Sequence, residues 1–422
     1  MTITTMSVAE TCAAAKQASR ALATLPSGVK DAALEAIATA LLDRRTEIVE
    51  ANGRDLEAAR ETAVRSVLLD RLALDESRVA GMAAGVRKIA TLPDPVGEVI
   101  DGSRLPNGLD VRKVRVPLGV IAVVYEARPN VTIDAAALCL KSGNAIVLRG
   151  SSTAAHSNAV LASVASEAGT SAGLPDGSIS LVAGGGHDEL RELATQTGVV
   201  DLIIPRGGEG LKAALKDVAT VPVIYAASGN CHIYVDASAE LPAAREIVLN
   251  AKLQRPSVCN AAETLLVHAE VAETFLPGML EALQTAGVTL HGDDRARAAA
   301  GDGTAIDEAT AEDWDAEYLA YELAVGVVDS AADAVSHIND HGSGHSEAIV
   351  TRDTEAARAF QLGVDAACVY VNASTRFTDG GEFGMGAEIG NSTQKLHARG
   401  PIGLRELCTF KYLIEGSGHV RA

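Results

Sequence analysis

One cysteine, Cys259, lies in a sequence context that suits a nucleophile. It follows a polar turn at residues 254–258, between a predicted helix and a predicted strand. A reactive thiolate needs partial exposure and positive surroundings, and Arg255 is close to it in sequence. The alternative is a structural cysteine, which is the commoner role. Three other cysteines fall within apolar helical or strand patterns and are interpreted as small core residues: Cys12, Cys139 and Cys368.

A glycine-rich turn at residues 208–213 has the G-x-G-x-x-A spacing of a dinucleotide-binding turn. It follows a predicted strand and opens a predicted helix, which is the context that this motif needs. Glycines let the backbone approach a phosphate, and a helix N-terminus offers free amides and a positive dipole. No Asp or Glu ends the following strand, where Ala226, Ala227 and Ser228 stand instead. A glycine-rich turn without a ligand is the alternative.

A second candidate phosphate site follows the strand that ends at Leu148. Arg149 is followed there by Gly150, Ser151 and Ser152, and a guanidinium pairs with a phosphate through two hydrogen bonds. No carboxylate is present here either to hold a ribose diol, so both sites favour NADP over NAD. The alternative is a surface arginine that follows a strand without binding a ligand.

The histidines predict no metal site, because none of the ten has a metal-ligand spacing such as His-Glu-x-x-His. His341 and His345 are four residues apart, but they are separated by glycines, and a polar loop explains them better. The glycines at 184–186 lack the Lys-Ser/Thr of a P-loop, so ATP chemistry is not supported.

Two series of alternating strands and helices must position these residues. In the first series, strands are predicted at 120–125, 145–148, 178–182, 200–204 and 221–225. The second series extends from Cys231 to Val371. Strands that alternate with helices of about ten residues imply parallel sheets with right-handed crossovers, and sheets of this kind bind ligands beyond the carboxyl ends of their strands. The predicted fold class is α/β, with two doubly wound domains.

The segment before residue 93 is predicted to be helical. A capping box at Ser7 begins the first helix. Ser27 is expected to cap a second helix that includes Ile48 and stops at Asn52-Gly53. A third helix is expected from Asp75 toward Leu92.

Three other segments have weaker patterns. Pro106-Asn107-Gly108 predicts a hairpin turn within 98–117, and this hairpin is either an arm that reaches another subunit or an ordinary surface hairpin. Residues 292–314 are interpreted as a long mobile connection. Residues 408–414 alternate, which predicts a strand that pairs with a sheet edge elsewhere.

The composition disfavours several classes of function. The 422 residues include 36 Lys and Arg against 55 Asp and Glu, a net charge of −19, which argues against a protein that coats nucleic acid or an anionic membrane. No apolar run approaches the ~20 residues of a membrane span, and residues 1–10 show no secretory signal. Six scattered cysteines indicate reduced thiols. A cytoplasmic protein without nucleic-acid or membrane partners is expected.

Four long motifs carry a resemblance to a known family. They are VYEARPNVT at 124–132, QRPSVCN at 254–260, VNASTRFTDG at 371–380, and GAEIG with QKLHARGP within 386–401. Together they resemble the gamma-glutamyl phosphate reductase family of the aldehyde dehydrogenase superfamily, over nearly the whole chain. The resemblance therefore implies an aldehyde dehydrogenase-like fold with a small β oligomerisation element.

The resemblance also implies a domain organisation and partners. It implies an NADP-binding domain at 1–97 and 118–230, a catalytic domain at 231–400, and an oligomerisation hairpin and strand at 98–117 and 401–422. A homo-oligomer is expected on this basis. A transient complex with glutamate 5-kinase is a hypothesis that rests only on the lability of an acyl phosphate.

The reaction that the resemblance implies is the second step of proline synthesis from glutamate. L-Glutamyl 5-phosphate and NADPH would become L-glutamate 5-semialdehyde, phosphate and NADP. Cys259 would attack the acyl phosphate, phosphate would leave, and the resulting thioester would accept a hydride.

The superfamily's functional positions transfer to this sequence residue by residue. Asn130 resembles the oxyanion asparagine, with the backbone amide of Cys259 as its companion. Arg149 stands where the superfamily has a lysine for the adenosine ribose, and Glu322 where it has a glutamate that contacts the nicotinamide ribose. Gly207-Gly208 resembles the glycine turn against the dinucleotide.

The substrate's charged groups need partners, and arginines in the motifs are the candidates. Which of them binds phosphate and which the carboxylate stays open, and at least one is expected to hold a loop instead. The four are Arg128, Arg255, Arg376 and Arg399.

One departure from the superfamily pattern is informative. Hydrolytic aldehyde dehydrogenases carry a glutamate base ahead of the nucleophile, and the matching stretch here, AASGN at 226–230, has no carboxylate. An enzyme that must protect its thioester from water should lack that base. Three alternatives remain: a hydrolytic NADP-dependent semialdehyde dehydrogenase, a cysteine hydrolase or acyltransferase without nucleotide, and a non-catalytic oligomeric scaffold.

Overall fold

The computed structural model describes residues 6–62, 66–184, 186–225, 228–301 and 303–421. The chain divides into two compact units. The first comprises Met1–Tyr225, Met385–Gly390 and Ile402–Ala422, and the second comprises Ala226–Gly384 and Asn391–Pro401. The second unit is therefore inserted into the sequence of the first.

Helices open the first unit, and an α/β series follows. The helices are α1 (Val8–Leu22), α2 (Ser27–Asp43), α3 (Arg45–Glu61), α4 (Ser66–Leu72) and α5 (Glu76–Ala90). The series is β1 (Val99–Arg104), β2 (Asp110–Pro117), β3 (Val120–Tyr125), α6 (Asn130–Lys141), β4 (Ala145–Arg149), α7 (Ala155–Ser171), β5 (Ile179–Leu181), α8 (His187–Ala194), β6 (Leu202–Arg206) and α9 (Glu209–Val218).

A parallel sheet in the order β5-β4-β3-β6 is the centre of the first unit. Every residue of β3 and β4 is buried, as expected for strands that are continuous apolar runs with both faces covered. The carboxyl ends of these strands meet at one edge. Asn130 follows β3 there, Ser151 follows β4, and Gly207-Gly208 follows β6.

The strand predicted at 221–225 is wrong. Only an isolated bridge joins Val223 to Ile203. Pro222 accepts a hydrogen bond from Ile203 N at 2.9 Å but has no N–H to donate, so a continuous ladder cannot form through it.

Two predictions in the helical segment are also wrong. The N-cap of α2 is Pro26, and the Ser27 hydroxyl donates to Asp94 Oδ2 at 2.6 Å instead. Ile48 and Asn52-Gly53 lie inside α3. Buried Asn52 donates to Leu72 O and Ser157 Oγ, and it accepts from the amide of Leu74. These long-range bonds offset its poor helix propensity.

The second unit alternates strands and helices from its start. Its elements are β7 (Cys231–Val235), α10 (Leu241–Leu253), β8 (Ala262–His268), α11 (Ala269–Thr285), β9 (Thr289–Gly292), α12 (Asp294–Ala299), β10 (Asp307–Glu308), α13 (Ala311–Trp314), β11 (Glu322–Val328), α14 (Ala331–His341), β12 (Ser346–Val350), α15 (Thr354–Gly363), β13 (Cys368–Val371), β14 (Asn391–Ser392) and β15 (Gly400–Pro401).

A parallel sheet in the order β10-β9-β11-β8-β7-β12-β13 runs through the second unit. Ile233 and Val235 of β7 face a core that also contains Leu276 of α11, whereas Tyr234 faces a core that contains Phe360 of α15. This alternation shows that helices cover both faces of the sheet. The predicted α/β, doubly wound architecture is thus confirmed.

The long connection predicted at 292–314 is wrong, because the segment contains α12, β10 and α13. Asp293 caps α12 by accepting from Ala296 N at 2.6 Å, and its second oxygen accepts from Val327 N at 2.9 Å. A capping box at Thr310 and Asp313 begins α13. These side-chain caps compensate for the shortness of the helices.

The last strand, β16 (Cys408–Glu415), belongs to the first unit and forms a third sheet in the order β1-β2-β16. The predicted pairing of the tail with an edge elsewhere is confirmed, since β16 runs antiparallel to β2. Phe410, Tyr412 and Ile414 on β16 are exposed. In the part of the chain that the structure describes, no helix is both long and apolar enough to cross a membrane.

Candidate active site

Cys259 lies in the loop between α10 and β8 and is partly exposed, whereas the other five cysteines are buried. Burial raises the pKa of the Cys12 thiol to about 11 and that of Cys408 to about 12. It also raises the pKa of Cys231 well above its usual value. Since a thiolate is the nucleophilic form, Cys259 is the best placed of the six thiols.

The backbone of Cys259 is packed against Gly229. A methyl group on Gly229 would overlap the carbonyl oxygen of Cys259 and would lie 2.7 Å from its Cα. The amide of Gly229 donates to Glu317 Oε1 at 2.6 Å, and Cys231 Sγ donates to the Cys259 carbonyl oxygen at 3.2 Å. These contacts fix, from one side, the main chain of the loop between α10 and β8, which carries the candidate nucleophile and is called the nucleophile loop below.

A second segment fixes the other side of the loop. Asn260 Nδ2 donates to the carbonyl oxygen of Thr378 at 2.9 Å, and Thr375 Oγ1 donates to the carbonyl oxygen of Asn260 at 2.7 Å. Arg376, between these threonines, donates from Nε to Gln254 Oε1 at 2.7 Å. The chain that follows β13 thus returns to the nucleophile loop.

Two of the four candidate arginines belong to the segments that meet at the Cys259 loop, Arg255 within the loop itself and Arg376 through its hydrogen bond to Gln254. Burial lowers the pKa of Arg376, the charge of Arg255 lowers it further, and Cys259 acts in the opposite direction. Arg376 therefore interacts electrostatically with both Arg255 and Cys259. Arg255 itself is exposed. Positive groups on these two segments are of the kind that a reactive cysteine needs in its surroundings.

Behind this loop lies a row of buried hydroxyl groups. Thr378 Oγ1 is 2.5 Å from Ser346 Oγ and 2.7 Å from the Tyr370 hydroxyl. His345 Nδ1 is 2.8 Å from Ser346 Oγ, and burial lowers the pKa of His345 to about 4. His345 is therefore neutral near pH 7.

Arg399 is held in another part of the second unit. Its Nη2 donates to the carbonyl oxygen and to Oδ1 of Asp365, at 3.1 and 3.0 Å. It lines a cavity of about 440 Å³ together with Thr393 and Lys395, and the lining of this cavity does not include Cys259. Arg399 is thus engaged in fixing the chain at Asp365.

Glu322 is the first residue of β11, and its carboxylate oxygen Oε2 lies 3.6 Å from His291 Nε2. Because β11 pairs with β8 in parallel, with Ala324 opposite Thr264, Glu322 lies at the same edge of the sheet as the Cys259 loop. This is the amino edge of the strands. The candidate residues Cys259 and Glu322 therefore lie opposite to the edge at which doubly wound sheets usually bind ligands.

In the first unit, Asn130 begins α6 directly after the strand β3 and its turn. Its Nδ2 donates to Asp134 Oδ2 at 2.9 Å. Burial raises the pKa of Asp134, while this hydrogen bond and the charge of Arg206 lower it. Arg128, also in this turn, donates from its backbone amide to the carbonyl oxygen of Glu126.

The residues after β4 form a compact turn. Arg149 is buried and donates from Nη2 to the carbonyl oxygen of Gly186 at 2.7 Å. A side chain on Gly150 would overlap Asn158 Nδ2. Ser151 Oγ is a buried atom without a hydrogen-bond partner, and Ser152 is exposed. An unsatisfied hydroxyl at the carboxyl end of a strand suits a polar ligand.

The glycine turn after β6 leaves no space for a side chain at Gly207. A methyl on Gly207 would lie 2.7 Å from both Glu126 Cδ and Leu211 Cδ2. Gly208 is the N-cap of α9, and its amide donates to Glu126 Oε2 at 3.0 Å. A carboxylate of the chain itself thus occupies one donor at this helix N-terminus.

Across the residues that the structure describes, no group of three or more His, Cys, Asp or Glu side chains is arranged to hold a metal ion.

Comparison with known proteins shows the family. The model of the aldehyde dehydrogenase family matches residues 1–318. The gamma-glutamyl phosphate reductase of Thermobifida fusca is 54% identical over 407 residues, which cover 96% of this chain and 97% of that protein. The gamma-glutamyl phosphate reductase of Kineococcus radiotolerans is 56% identical over 411 residues, which cover 97% of this chain and 95% of that protein. This chain belongs to the gamma-glutamyl phosphate reductase family.

A solved structure of this reductase family has the same fold. The gamma-glutamyl phosphate reductase of Thermotoga maritima is 45% identical, has a TM-score of 0.96, and is matched over 99% of this chain and 100% of that one. The predicted resemblance and the aldehyde dehydrogenase-like fold are confirmed. The chain is an oxidoreductase, and its aldehyde dehydrogenase family uses a nicotinamide cofactor.

Sequence reasoning missed several residues that shape this reductase site. Gly229 and Glu317 act on the nucleophile loop from distant positions in the chain, and no local pattern marks them. Glu126 lies within the motif at 124–132, but nothing in that motif marks its contact with the glycine turn. The pattern of apolar residues also does not reveal the buried ion pair of Lys252 and Glu263, since charged residues are usually interpreted as exposed.

Proposed function

We propose that this reductase converts L-glutamyl 5-phosphate to L-glutamate 5-semialdehyde and phosphate, with NADPH, as the second step of proline synthesis from glutamate. The observation that carries the proposal is the environment of Cys259. It is the partly exposed thiol of the chain, in a loop that is fixed on both sides, that contains Arg255 and that interacts electrostatically with Arg376.

The thiolate of Cys259 attacks the acyl carbon of the substrate. A bond from sulfur to carbon forms, the bond from carbon to the phosphate oxygen breaks, and phosphate leaves with that electron pair. Arg255 and Arg376 favour the ionised thiol and are the candidates for the departing phosphate. The product of this half-reaction is a thioester on Cys259.

When bound, NADPH would supply a hydride to the acyl carbon, and the resulting thiohemiacetal would collapse with breakage of the sulfur–carbon bond, which releases the aldehyde and restores the Cys259 thiolate. The first unit offers groups that fit a phosphate-bearing cofactor: the unsatisfied hydroxyl of Ser151, the exposed Ser152, and the turn at Gly207, which a side chain would fill. Arg149 orders the neighbouring turn through Gly186. A phosphate contact at the Gly208 amide requires the Glu126 carboxylate to leave that donor.

Asn130 is proposed as a donor to the oxyanion that forms at the acyl carbon, on the basis of the family resemblance, and the backbone amide of Cys259 as the second donor. Removal of one such donor typically costs about 3 kcal/mol of transition-state stabilisation. Asn130→Ala should therefore lower kcat by roughly 10²- to 10³-fold. Glu322 is proposed to contact the nicotinamide ribose.

The base that a hydrolytic enzyme would need is absent from the local sequence. Ala226 and Ala227 lie outside the described residues, but neither is a carboxylate. Without a carboxylate at this position to activate water, hydrolysis of the thioester competes poorly with hydride transfer. This supports acyl-phosphate reduction over hydrolytic oxidation of a semialdehyde.

Two partners are proposed alongside the reaction. The exposed apolar residues of β16 favour a homo-oligomer built through the sheet β1-β2-β16. A transient complex with the kinase that forms the acyl phosphate would protect a labile substrate. Equal product yield with a physically separated kinase would remove the reason for such a complex.

The test is the reverse reaction. Purified protein receives L-glutamate 5-semialdehyde and NADP or NAD, with and without phosphate, and the absorbance of the reduced cofactor is followed. The proposal predicts phosphate-dependent reduction of NADP. Reduction without phosphate would instead indicate a hydrolytic dehydrogenase, and no reduction would favour a non-redox role.

Two variants complete this test. Cys259→Ser should fold and lose activity, because serine is nearly isosteric but a poor nucleophile at neutral pH. Cys12→Ser, at a buried thiol of the first unit, is the matched control and should retain activity. Turnover by folded Cys259→Ser protein would contradict the assignment of the nucleophile.

A further inference from the structure

A buried ion pair closes the base of the loop that carries Cys259. The loop runs from the end of α10 at Leu253 to the start of β8 at Ala262. Lys252 and Glu263 flank it, both side chains are fully buried, and Nζ lies 2.5 Å from Oε2. Lys252 Nζ also donates to the carbonyl oxygen of Ala262 at 2.9 Å. The two ends of the loop are therefore joined by side chains.

The second carboxylate oxygen of Glu263 contacts a different segment. Glu263 Oε1 accepts from the amide of Leu319 at 3.2 Å. Leu319 has a φ angle of 54°, a left-handed conformation that a leucine keeps only when its surroundings hold it. Shortly after it, β11 begins with Glu322. One carboxylate thus joins the Cys259 loop to the segment that leads into Glu322.

This ion pair is costly as a stabilising element. Burial raises the pKa of Glu263 and lowers that of Lys252, so it disfavours both charges. The charge of Glu317 raises the pKa of Glu263 further, and the charge of Glu322 raises that of Lys252. Three acidic side chains therefore act around one buried cation. Buried pairs of this kind are often replaced by apolar residues without loss of stability. Stability is therefore a weak explanation for this pair.

We infer that Glu263 is a positioning residue, which holds the Cys259 loop in register with residues 317–322, and that Lys252 is its buried counter-ion. The inference rests on the proposed role of Cys259 as the nucleophile. Both side chains are fully buried, so they act through the backbone of the loop. The hydrogen bond from the Leu319 amide to Glu263 thereby fixes the position of the Cys259 thiol relative to the start of β11.

Two double variants of the full-length enzyme separate positioning from packing. Lys252→Met with Glu263→Leu makes the pair apolar and removes the acceptor for the Leu319 amide. Lys252→Met with Glu263→Gln, the matched control, keeps an amide oxygen there. Thermal unfolding is measured first, to establish that each variant is folded. If the Leu variant does not fold, Glu263→Ala replaces Glu263→Leu, with the same expected results.

The positioning role predicts a split between kcat and KM. We expect kcat of the Leu variant to fall about 30-fold, since displacement of a reacting group by a fraction of an ångström has effects of this order. KM for semialdehyde and for NADP should change by less than about threefold, and the Gln variant should retain most of the wild-type kcat. A Leu variant with wild-type kcat, or equal losses in both variants, would overturn the inference.

Hydrogen exchange followed by mass spectrometry gives a readout that does not depend on catalysis. The amides of residues 254–262 should exchange at least about tenfold faster in the Leu variant than in the Gln variant. Equal exchange would overturn the inference. If the wild-type protein showed no phosphate-dependent reduction of NADP, the proposed function would fail, and the exchange result alone would decide the role of the pair.

Discussion

Gly229→Ala tests whether the backbone of the nucleophile must be where the structure places it. The added methyl would overlap the carbonyl oxygen of Cys259 and lie 2.7 Å from its Cα, whereas ordinary van der Waals contact begins at 3.4 Å. The obstructing atoms are main chain and cannot rotate away. The Cys259 backbone, or the segment at Gly229 that precedes β7, must therefore move by about 1 Å or more.

The displacement sets the expected magnitude. A shift of ~1 Å at a reacting group costs roughly 10²-fold in rate, and the shift also moves the Cys259 amide that is proposed to face the oxyanion. We expect kcat to fall at least about 100-fold. The overlap should also lower the free energy of unfolding by about 1–3 kcal/mol, the usual cost of overpacking.

The assay is phosphate-dependent NADP reduction, with thermal unfolding measured on the same samples. Gly278→Ala is the matched control, since Gly278 lies in α11 of the same unit with no atom within 4 Å of an added methyl. It should retain full activity and gain helix stability of about 0.5–1 kcal/mol. Folded Gly229→Ala protein with wild-type kcat would refute the argument that this contact positions Cys259.

Three further outcomes are expected. Asn52→Ala removes the side chain that bonds to Ser157 and to two backbone groups, so the free energy of unfolding in urea should fall by about 3 kcal/mol; a loss below 1 kcal/mol would contradict this. Burial lowers the pKa of His345 from 6.5 to about 4. Between these pH values the unfolded chain therefore binds a proton that the folded chain does not. The free energy of unfolding should fall as the pH falls through this range, by up to 1.36 kcal/mol per pH unit. His345→Asn should flatten the unfolding profile between these pH values, and an unchanged slope would show that other groups are responsible. Ile414→Lys, at an exposed position of β16, should shift sedimentation toward smaller species, and an unchanged oligomer would exclude this face from the assembly.

The candidate residues of the site could be predicted from the sequence, because they lie in contiguous motifs. The Cys259 turn and the strand at Val120–Tyr125 both follow from short patterns: a polar turn after a helix, and a continuous apolar run. Patterns of this kind act through neighbours in sequence. The structure therefore reproduces the expected strands of both parallel sheets, apart from the one at Pro222.

The remaining features depend on partners that are distant in sequence. Asn52 stays helical because Leu72, Leu74 and Ser157 satisfy its side chain, and none of these is marked locally. Asp293 orders a glycine-rich stretch by accepting from Val327. The placement of Cys259 at the amino edge of its sheet follows from strand order, which periodicity does not encode.

The inserted arrangement of the chain has a consequence for its synthesis on the ribosome. Strand β2 ends at Pro117, and its partner β16 begins at Cys408, so roughly 290 residues must be made before the pair can form. At about 5–20 residues per second this takes on the order of 15–60 s. During that time one edge of β2 lacks its strand, and the second unit can complete its own sheet first. A nascent chain stalled before residue 408 should therefore display a hairpin edge with which a neighbouring nascent chain can pair.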